Sequence, residues 1–184
     1  MIRKIILRMQ LYVRYIILKI KLGKLLETKG FFTIGKECEF EILEKGRVCI
    51  GEKVEFSKRN IVGVVGGKIF VGSKSFFNDN CRIICRNNIQ IGDNCIFGPG
   101  VTIYDHDHIF DWTGIKDGYK TGEVVIDSGC WIGTNVTILR NTHIGEKSVI
   151  GAGTTIKGDI PAHSRVVGTS NLIKTIEKTN FRDM

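Results

Sequence analysis

The chain has 184 residues and a formal net charge of +8 at pH 7, and that charge is unevenly placed. Residues 1–29 hold eight Lys or Arg against one Glu, whereas the rest of the chain is close to neutral. Without aromatic stacking platforms or a recognised reading motif, this basic segment does not predict nucleic-acid binding. Its longest apolar run is four residues, which excludes a spanning helix of about 20, and its dispersed basic residues exclude a secretory signal.

Residues 1–29 predict a basic amphipathic helix. On a helical wheel the apolar side consists of Ile2, Ile5, Met9, Tyr12, Val13, Ile16 and Ile20, and the basic side of Arg3, Lys4, Arg8, Arg14 and Lys19. Two interpretations remain open. The helix lies in the interface of an anionic membrane through residues 1–24, or it caps the open end of the following domain and packs against neighbouring subunits.

A six-residue repeat runs in register from Ile126 to Val167. Its units are IDSGCW, IGTNVT, ILRNTH, IGEKSV, IGAGTT, IKGDIP and AHSRVV. Nearly every unit opens with isoleucine, and the fifth residue is small or β-branched. This period fits neither an α-helix nor a simple alternating strand, and it is typical of a parallel β-helix. The Gly and Asn residues after the isoleucine are expected at corners that need a permissive backbone.

The same phase extends upstream. Units in step open at Val71, Phe77 and Ile83, and again at Ile91, Phe97 and Ile103, and fainter copies open at Ile34 and Ile50. Residues 61–70 break the count. We expect one all-β domain over residues 30–170, with about seven coils stacked at the roughly 4.8 Å spacing of paired strands. Residues 171–184 are expected to form a tail or a short helix.

Four of the six cysteines occupy the fifth, inward-facing position of a unit, where a free thiol serves as a small hydrophobe. They are Cys38, Cys81, Cys95 and Cys130. No pair has Cys-x-x-Cys spacing. We therefore predict no disulfide, no metal site and a reducing, cytoplasmic compartment.

The repeat fails after Ile103 and resumes at Ile126, and the intervening sequence is YDHDHIFDWTGIKDGYKTGE. A β-helix accommodates such an insertion as a loop on a corner, and loops on rigid scaffolds commonly carry active sites. This loop, residues 104–125, opens with His106 and His108. Since histidine can remove a proton near neutral pH, the loop is the predicted place for general-base chemistry.

Several stretches resemble the hexapeptide-repeat acyltransferases, in particular the maltose and galactoside O-acetyltransferases. They are IGDNCIFGPGVTI, CWIGTNVTIL, IGEKSVIGAGTTI and DIPAHSRVVG. The likeness covers residues 71–170 well and residues 31–70 weakly. It implies a left-handed parallel β-helix, an exception to the usual right-handed crossover. It also implies a homotrimer that binds acetyl-CoA as acyl donor between subunits.

The resemblance further implies roles for residues of the loop. His108, five residues after the VTI strand, matches the catalytic histidine and is the expected general base. Asp105 or Asp107 is expected to hold its imidazole in the right tautomer. His106 is expected to be a loop residue or an acceptor contact.

Acceptor contacts are implied at Asn78, which matches the family's acceptor-binding asparagine, and at Arg86. Arg86 stands where the maltose and galactoside enzymes have an acceptor-binding aspartate, so we expect a different sugar. Trp131 matches the tryptophan beside the acyl group. The residues expected along CoA are Thr134, Ala152 and Lys157. At the family's phosphate-pairing position stands Leu172, for which Lys174 or Lys178 is expected to compensate.

The sequence thus predicts an acetyl-CoA-dependent O-acetyltransferase that acts on a sugar hydroxyl in bacterial surface polysaccharide synthesis. The alternatives are N-acylation of an amino sugar or nucleotide sugar, and a non-catalytic scaffold. The zinc-dependent carbonic anhydrases of similar fold have two histidines five residues apart, a spacing this chain lacks. The N-terminal segment favours an acceptor at the inner face of the cell membrane.

Overall fold

The computed structural model describes residues 2–168 and 173–175, with the backbone alone for residues 2–4 and 173–175. It begins with helix α1, Ile2–Leu22, and a single 3-10 turn, Gly23–Leu25. Short parallel strands then wind into a solenoid with three sides. This arrangement confirms the predicted β-helix preceded by a helix.

Each side of the solenoid is a ladder of parallel strands from successive coils. The first side contains β1 (Leu26–Thr28), β4 (Arg47–Ile50), β7 (Lys68–Val71), β10 (Asn88–Ile91) and β15 (Glu123–Ile126). The second contains β2 (Thr33–Ile34), β5 (Glu55–Phe56), β8 (Phe76–Phe77), β11 (Ile96–Phe97), β16 (Trp131–Ile132), β18 (Val149–Ile150) and β20 (Ser164–Val166). The third contains β3 (Glu39–Leu43), β6 (Ile61–Val65), β9 (Arg82–Cys85) and β12 (Thr102–Tyr104).

Five further strands depart from this simple pattern. Strands β17 (Thr137–Ile144) and β19 (Thr155–Ile160) run across the corner from the third side to the first. Strands β13 (His106–Asp111) and β14 (Gly114–Thr121) form an antiparallel hairpin between β12 and β15. Strand β21 (Ile173–Thr175) pairs antiparallel with β20, so these three residues are extended rather than helical. The rest of the predicted C-terminal segment, residues 171–172 and 176–184, lies outside the described residues.

The core is built of like side chains stacked from coil to coil. Phe56, Phe77 and Phe97 form a column in which adjacent ring centroids are 4.7 and 4.4 Å apart and nearly parallel. These distances match the spacing of paired strands, because one inward residue per strand repeats in every coil. Cys81, Cys95 and Cys130 are buried and Cys38 is partly buried, which supports their inward assignment. All six cysteines are free thiols.

The early coils are longer than the late ones. Val48, Ile69 and Ile89 are stacked partners separated by 21 and 20 residues, whereas the stacked Val124 and Thr142 are 18 apart. The additional residues lie at the corner that leads from the third side to the first. This difference explains the break in the hexad count near residues 61–70.

The corners use Asn and Gly for different reasons. Asn94 and Asn135 have φ angles of +55° and +54°, the left-handed region that tight corners need. Gly133 and Gly145 do not have positive φ. A Cβ atom at these glycines would lie 2.7 Å from Ala152 N and 2.4 Å from Ala162 N of the next coil. The expectation of a permissive backbone is therefore right for the asparagines, whereas these glycines permit close stacking of coils.

Helix α1 lies across the open N-terminal end of the solenoid. Tyr15 packs edge-on against Phe32 at 5.3 Å, and Leu18 and Leu22 also contact the core. Lys19 Nζ donates to the carbonyl of Leu26 at 2.9 Å. Arg14 Nη1 donates to the carbonyl of Ile34 at 3.3 Å. Both acceptors belong to the first coil, so α1 caps the sheet edge that has no further coil to pair with.

The opposite face of α1 is apolar and exposed. It consists of Ile5, Ile6, Met9, Tyr12, Val13, Ile16, Ile17 and Ile20. This is the predicted apolar side; the side chains of Ile2, Arg3 and Lys4 lie outside the description. Among the described residues no helix is long and apolar enough to cross a bilayer.

Candidate active site

The predicted loop is a β-hairpin that projects from the corner between the third and first sides. Its tip is exposed to solvent, including the large side chains of Phe110, Trp112 and Ile115. Its base, in contrast, is tied to the solenoid: the N–H of Gly122 donates to the carbonyl of Asp105 at 2.8 Å. The residues that carry the predicted chemistry lie at this base.

Asp105 is completely buried beneath the hairpin and binds the preceding coil. Its carboxylate accepts the N–H of Arg86 at 2.8 Å and the N–H of Asn87 at 2.7 Å. The thiol of Cys85 donates to the same carboxylate at 3.1 Å. Burial raises the pKa of Cys85, and the adjacent Asp105 raises it further, so the thiol stays protonated. Asp105 therefore fixes the corner on which the hairpin rests.

His106, rather than His108, is the partner of Asp105. Its Nδ1 lies 2.9 Å from Asp105 Oδ1, and only 12% of its side chain is exposed. If Nδ1 carries the proton, Nε2 is left as an acceptor at the edge of the site. Within the single chain, Asp105 contacts His106 and not His108, which differs from the expected pairing.

Asp107 is likewise turned away from His108. Its Oδ2 accepts a hydrogen bond from Nε of Arg140 at 2.5 Å. Arg140 is buried at 8% exposure in β17, so the ion pair anchors the hairpin to the following coil. Sequence analysis missed Arg140, because nothing in its own hexad indicates that the side chain pairs with a carboxylate of the inserted hairpin.

His108 is exposed, and Tyr119 is its cross-strand neighbour in the hairpin. The two ring centroids are 4.8 Å apart at 43°. Within the described part of the chain, His108 makes no side-chain hydrogen bond, which leaves both ring nitrogens available. Tyr119 also meets His106 edge-on at 5.3 Å, and the Arg86 guanidinium lies 3.5 Å from its centroid. Tyr119 was missed because its role depends on the register of the hairpin.

Asn78 and Trp131 lie on or beside the second side, away from the hairpin. Asn78 follows β8, where its Oδ1 accepts the N–H of Asp79 at 2.8 Å, as a corner asparagine does. Trp131 points outward from β16 and is 56% exposed. The fold places neither residue against His108 within one chain.

The expected CoA residues that the structure describes are exposed. Thr134 and Ala152 occupy the same corner on successive coils, since the N–H of Gly153 donates to the carbonyl of Thr134 at 2.8 Å. Lys157 lies on β19. Only the backbone of Lys174 is described, in β21. No group of three or more His, Cys, Asp or Glu side chains within the described residues is arranged to hold a metal ion.

Comparison with known proteins gives a consistent set of relatives. Residues 123–158 match a family model described as bacterial transferase hexapeptide (six repeats). The chain is 30% identical over 148 residues to a galactoside O-acetyltransferase of Lactococcus lactis subsp. lactis. The aligned residues cover 79% of this chain and 72% of that protein. A solved maltose O-acetyltransferase from Clostridium difficile 630 has 28% identity and a TM-score of 0.56, covering 88% of this chain and 74% of that one.

Other relatives are substantially longer than the matched region. A Schizosaccharomyces pombe protein is 36% identical over 105 residues, which cover 56% of this chain and 51% of the relative. The chain thus spans from about half to about three quarters of the length of the curated relatives it matches.

Proposed function

This chain belongs to the family of hexapeptide-repeat acyltransferases, and from that premise we propose that it transfers an acetyl group from acetyl-CoA to a hydroxyl of a sugar. The observation that carries the proposal is the position of His108. It is an exposed imidazole at the base of a hairpin that interrupts the solenoid, and the resemblance matches it to the family's catalytic histidine. The galactoside and maltose enzymes among its relatives support a sugar acceptor.

In this proposal His108 is the general base. It removes the proton of the sugar hydroxyl while the hydroxyl oxygen attacks the thioester carbonyl carbon. The carbon–sulfur bond then breaks, and the proton held by His108 passes to the departing sulfur. The products are the acetyl ester of the sugar and free CoA. A positioned base contributes about 10²- to 10⁴-fold to such a reaction.

The neighbouring pairs keep the base in place. Asp105 holds His106, and Arg140 holds Asp107, so the two residues that precede His108 in the strand are both fixed. His106, with Nε2 at the edge of the site, is proposed to contact the acceptor. This division assigns Asp105 and Asp107 to positioning rather than to direct contact with His108.

We infer that the active unit is a homotrimer with acetyl-CoA bound between subunits. Two observations support this assembly. Ile96 and Trp131 are paired in register on the second side and about half exposed, which gives the solenoid an outward apolar strip. Asn78 and Trp131 also lie away from the hairpin of their own chain. A neighbouring subunit is then needed to bring them, with Thr134 and Ala152, towards His108.

The acceptor is proposed to be a bacterial surface polysaccharide or its lipid-linked precursor, modified at the inner face of the cell membrane. Support comes from α1, whose outward face is apolar although its other face already caps the solenoid. Arg8, Lys21 and Lys24 are exposed basic residues on or next to this helix. Each basic residue near an anionic surface contributes about 1 kcal/mol to binding.

A direct test is to incubate the protein with acetyl-CoA and a panel of neutral sugars and amino sugars. We expect acetylated sugar whose acetyl group is released by mild alkali, because an ester is cleaved under conditions that leave an amide intact. Alkali-stable product formed only with amino sugars would favour N-acylation. No transfer to any sugar would leave the non-catalytic scaffold as the better account.

A further inference from the structure

Arg86 occupies an unusual position beside the candidate active site. It lies at the corner between β9 and β10, where its backbone N–H is bound by the buried Asp105 at 2.8 Å. Its half-buried side chain extends to Tyr119, and the guanidinium carbon lies 3.5 Å from the ring centroid. The backbone is thus held by Asp105 and the guanidinium is held over the Tyr119 ring.

The charge of Arg86 is not balanced by a neighbouring carboxylate. Among the described residues no Asp or Glu oxygen lies within 4.0 Å of its guanidinium nitrogens, and its side chain donates no hydrogen bond. Arg140 on the other flank of the hairpin base provides the contrast, since Asp107 neutralises it. Arg86 therefore presents a preorganised set of N–H donors with an uncompensated positive charge.

This charge lies close to the proposed base. Tyr119 contacts Arg86, His106 and His108, with the two imidazole centroids 5.3 and 4.8 Å from its own. The Arg86 guanidinium carbon and the His108 ring centroid therefore both lie within 5 Å of the same ring centroid. A guanidinium held over an aromatic ring is suited to bidentate binding of a planar carboxylate or of a phosphate.

We propose that Arg86 and Tyr119 form an anion-binding subsite for the acceptor, which is accordingly an acidic sugar. The anion is the carboxylate of a hexuronic acid or the phosphate of a sugar phosphate, carried by the acetylated unit or its neighbour. This inference rests on the proposed function, because it assigns the acceptor of the same site. It predicts a preference for charged over neutral sugars that depends on Arg86.

The test compares sugars that differ in charge alone. Methyl glucuronide with methyl glucoside, and glucose 6-phosphate with glucose, distinguish a carboxylate from a phosphate, and binding is measured by ligand-observed NMR. We expect the charged member of one pair to bind the wild-type protein about ten- to a hundredfold more tightly. Arg86→Gln should abolish that preference and leave neutral-sugar binding within about twofold. Arg82→Gln is the matched control, since Arg82 is an exposed arginine of the adjacent strand.

Several results would overturn the subsite. One is that the wild-type protein binds both members of each pair equally, or binds neither. Another is a preference for the charged sugar that survives Arg86→Gln. A third is an equal loss of that preference in Arg82→Gln. If Arg86 only supports the hairpin, charged and neutral sugars lose affinity together. Should Arg86→Gln fail to fold, Arg86→Lys keeps the charge without the bidentate donors, and an undiminished preference in it also overturns the proposal. Acetyl transfer measured in parallel is independent: a preference without transfer contradicts the proposed function but not the subsite.

Discussion

The alternation of side chains along a strand places Asp107 and His108, neighbours in the DHDH motif, on opposite faces of β13. Successive side chains of a strand point to opposite faces, so Asp107 and His108 cannot both face the same site. Asp107 faces Arg140, whereas His106 and His108 share the face that Tyr119 covers. The sequence pattern placed both histidines in the inserted segment, and their roles stay predictions. The contacts of Asp105 with Arg86 and Asn87, and of Asp107 with Arg140, join different coils and could not be read from a local pattern.

Replacement of Asp107 tests this arrangement. Asp107→Asn leaves the buried guanidinium of Arg140 without its counter-charge, which should cost about 1–2 kcal/mol. For a chain of this size the expected fall in melting temperature is about 2–8 °C. Asp117→Asn, at an exposed hairpin residue with no ion pair among the described contacts, should leave the melting temperature unchanged. Equal melting temperatures for the two variants would show that the Arg140 pair does not anchor the hairpin.

Helix α1 has two different faces, one against the solenoid and one exposed to solvent. The helical wheel identified the broad apolar side, which the structure leaves exposed. It did not identify the second, narrower stripe of Tyr15, Leu18 and Leu22, which packs on the solenoid. That stripe can be recognised only when the exposed core and unpaired strand edge at the open end of the first coil are known. Capping is thus observed, and membrane binding stays a prediction.

The two faces of α1 can be tested separately by liposome co-sedimentation and thermal unfolding. Ile17→Ser combined with Ile20→Ser alters only the exposed face, where Ile20 is 78% exposed. This variant should lose binding to anionic liposomes at low salt and keep the wild-type melting temperature. Leu18→Ala alters the capping face, so it should lower the melting temperature and still bind. The electrostatic part of binding should weaken at high salt.

Either of two outcomes would remove the argument for a membrane-proximal acceptor. One is a wild-type protein that ignores anionic liposomes at low salt. The other is a loss of oligomeric state in the Ile17→Ser, Ile20→Ser variant, which would identify the exposed face as a contact between subunits.

At the scale of the whole molecule, the hexad period was sufficient to predict the solenoid, because one inward side chain per strand must recur in every coil. The period also located the hairpin, as the segment where it failed. The period did not predict the antiparallel pairing of β13 with β14. It also did not predict the contacts of Tyr119 and Arg140, because these contacts join residues that are distant in sequence. The left-handed winding and the trimer stay predictions that follow from the resemblance.

The trimer is tested by a charge placed in the outward apolar strip of the second side. Ile96→Glu should yield monomers in analytical ultracentrifugation, because a subunit contact would bury an unpaired carboxylate. Gln90→Glu, at an exposed position of the first side, should leave the oligomer intact. A wild-type monomer, or a trimer that tolerates Ile96→Glu, would contradict assembly through the second side.

The most direct test of the central claim is to measure acetyl transfer and acetyl-CoA affinity together in His108→Ala. If His108 is the general base, turnover falls by about 10²- to 10⁴-fold while the Kd for acetyl-CoA is nearly unchanged. His143→Ala is the matched control, because His143 is an exposed histidine of a regular coil that pairs with Asp127, and it should keep wild-type turnover. Near-normal turnover in His108→Ala would contradict the account.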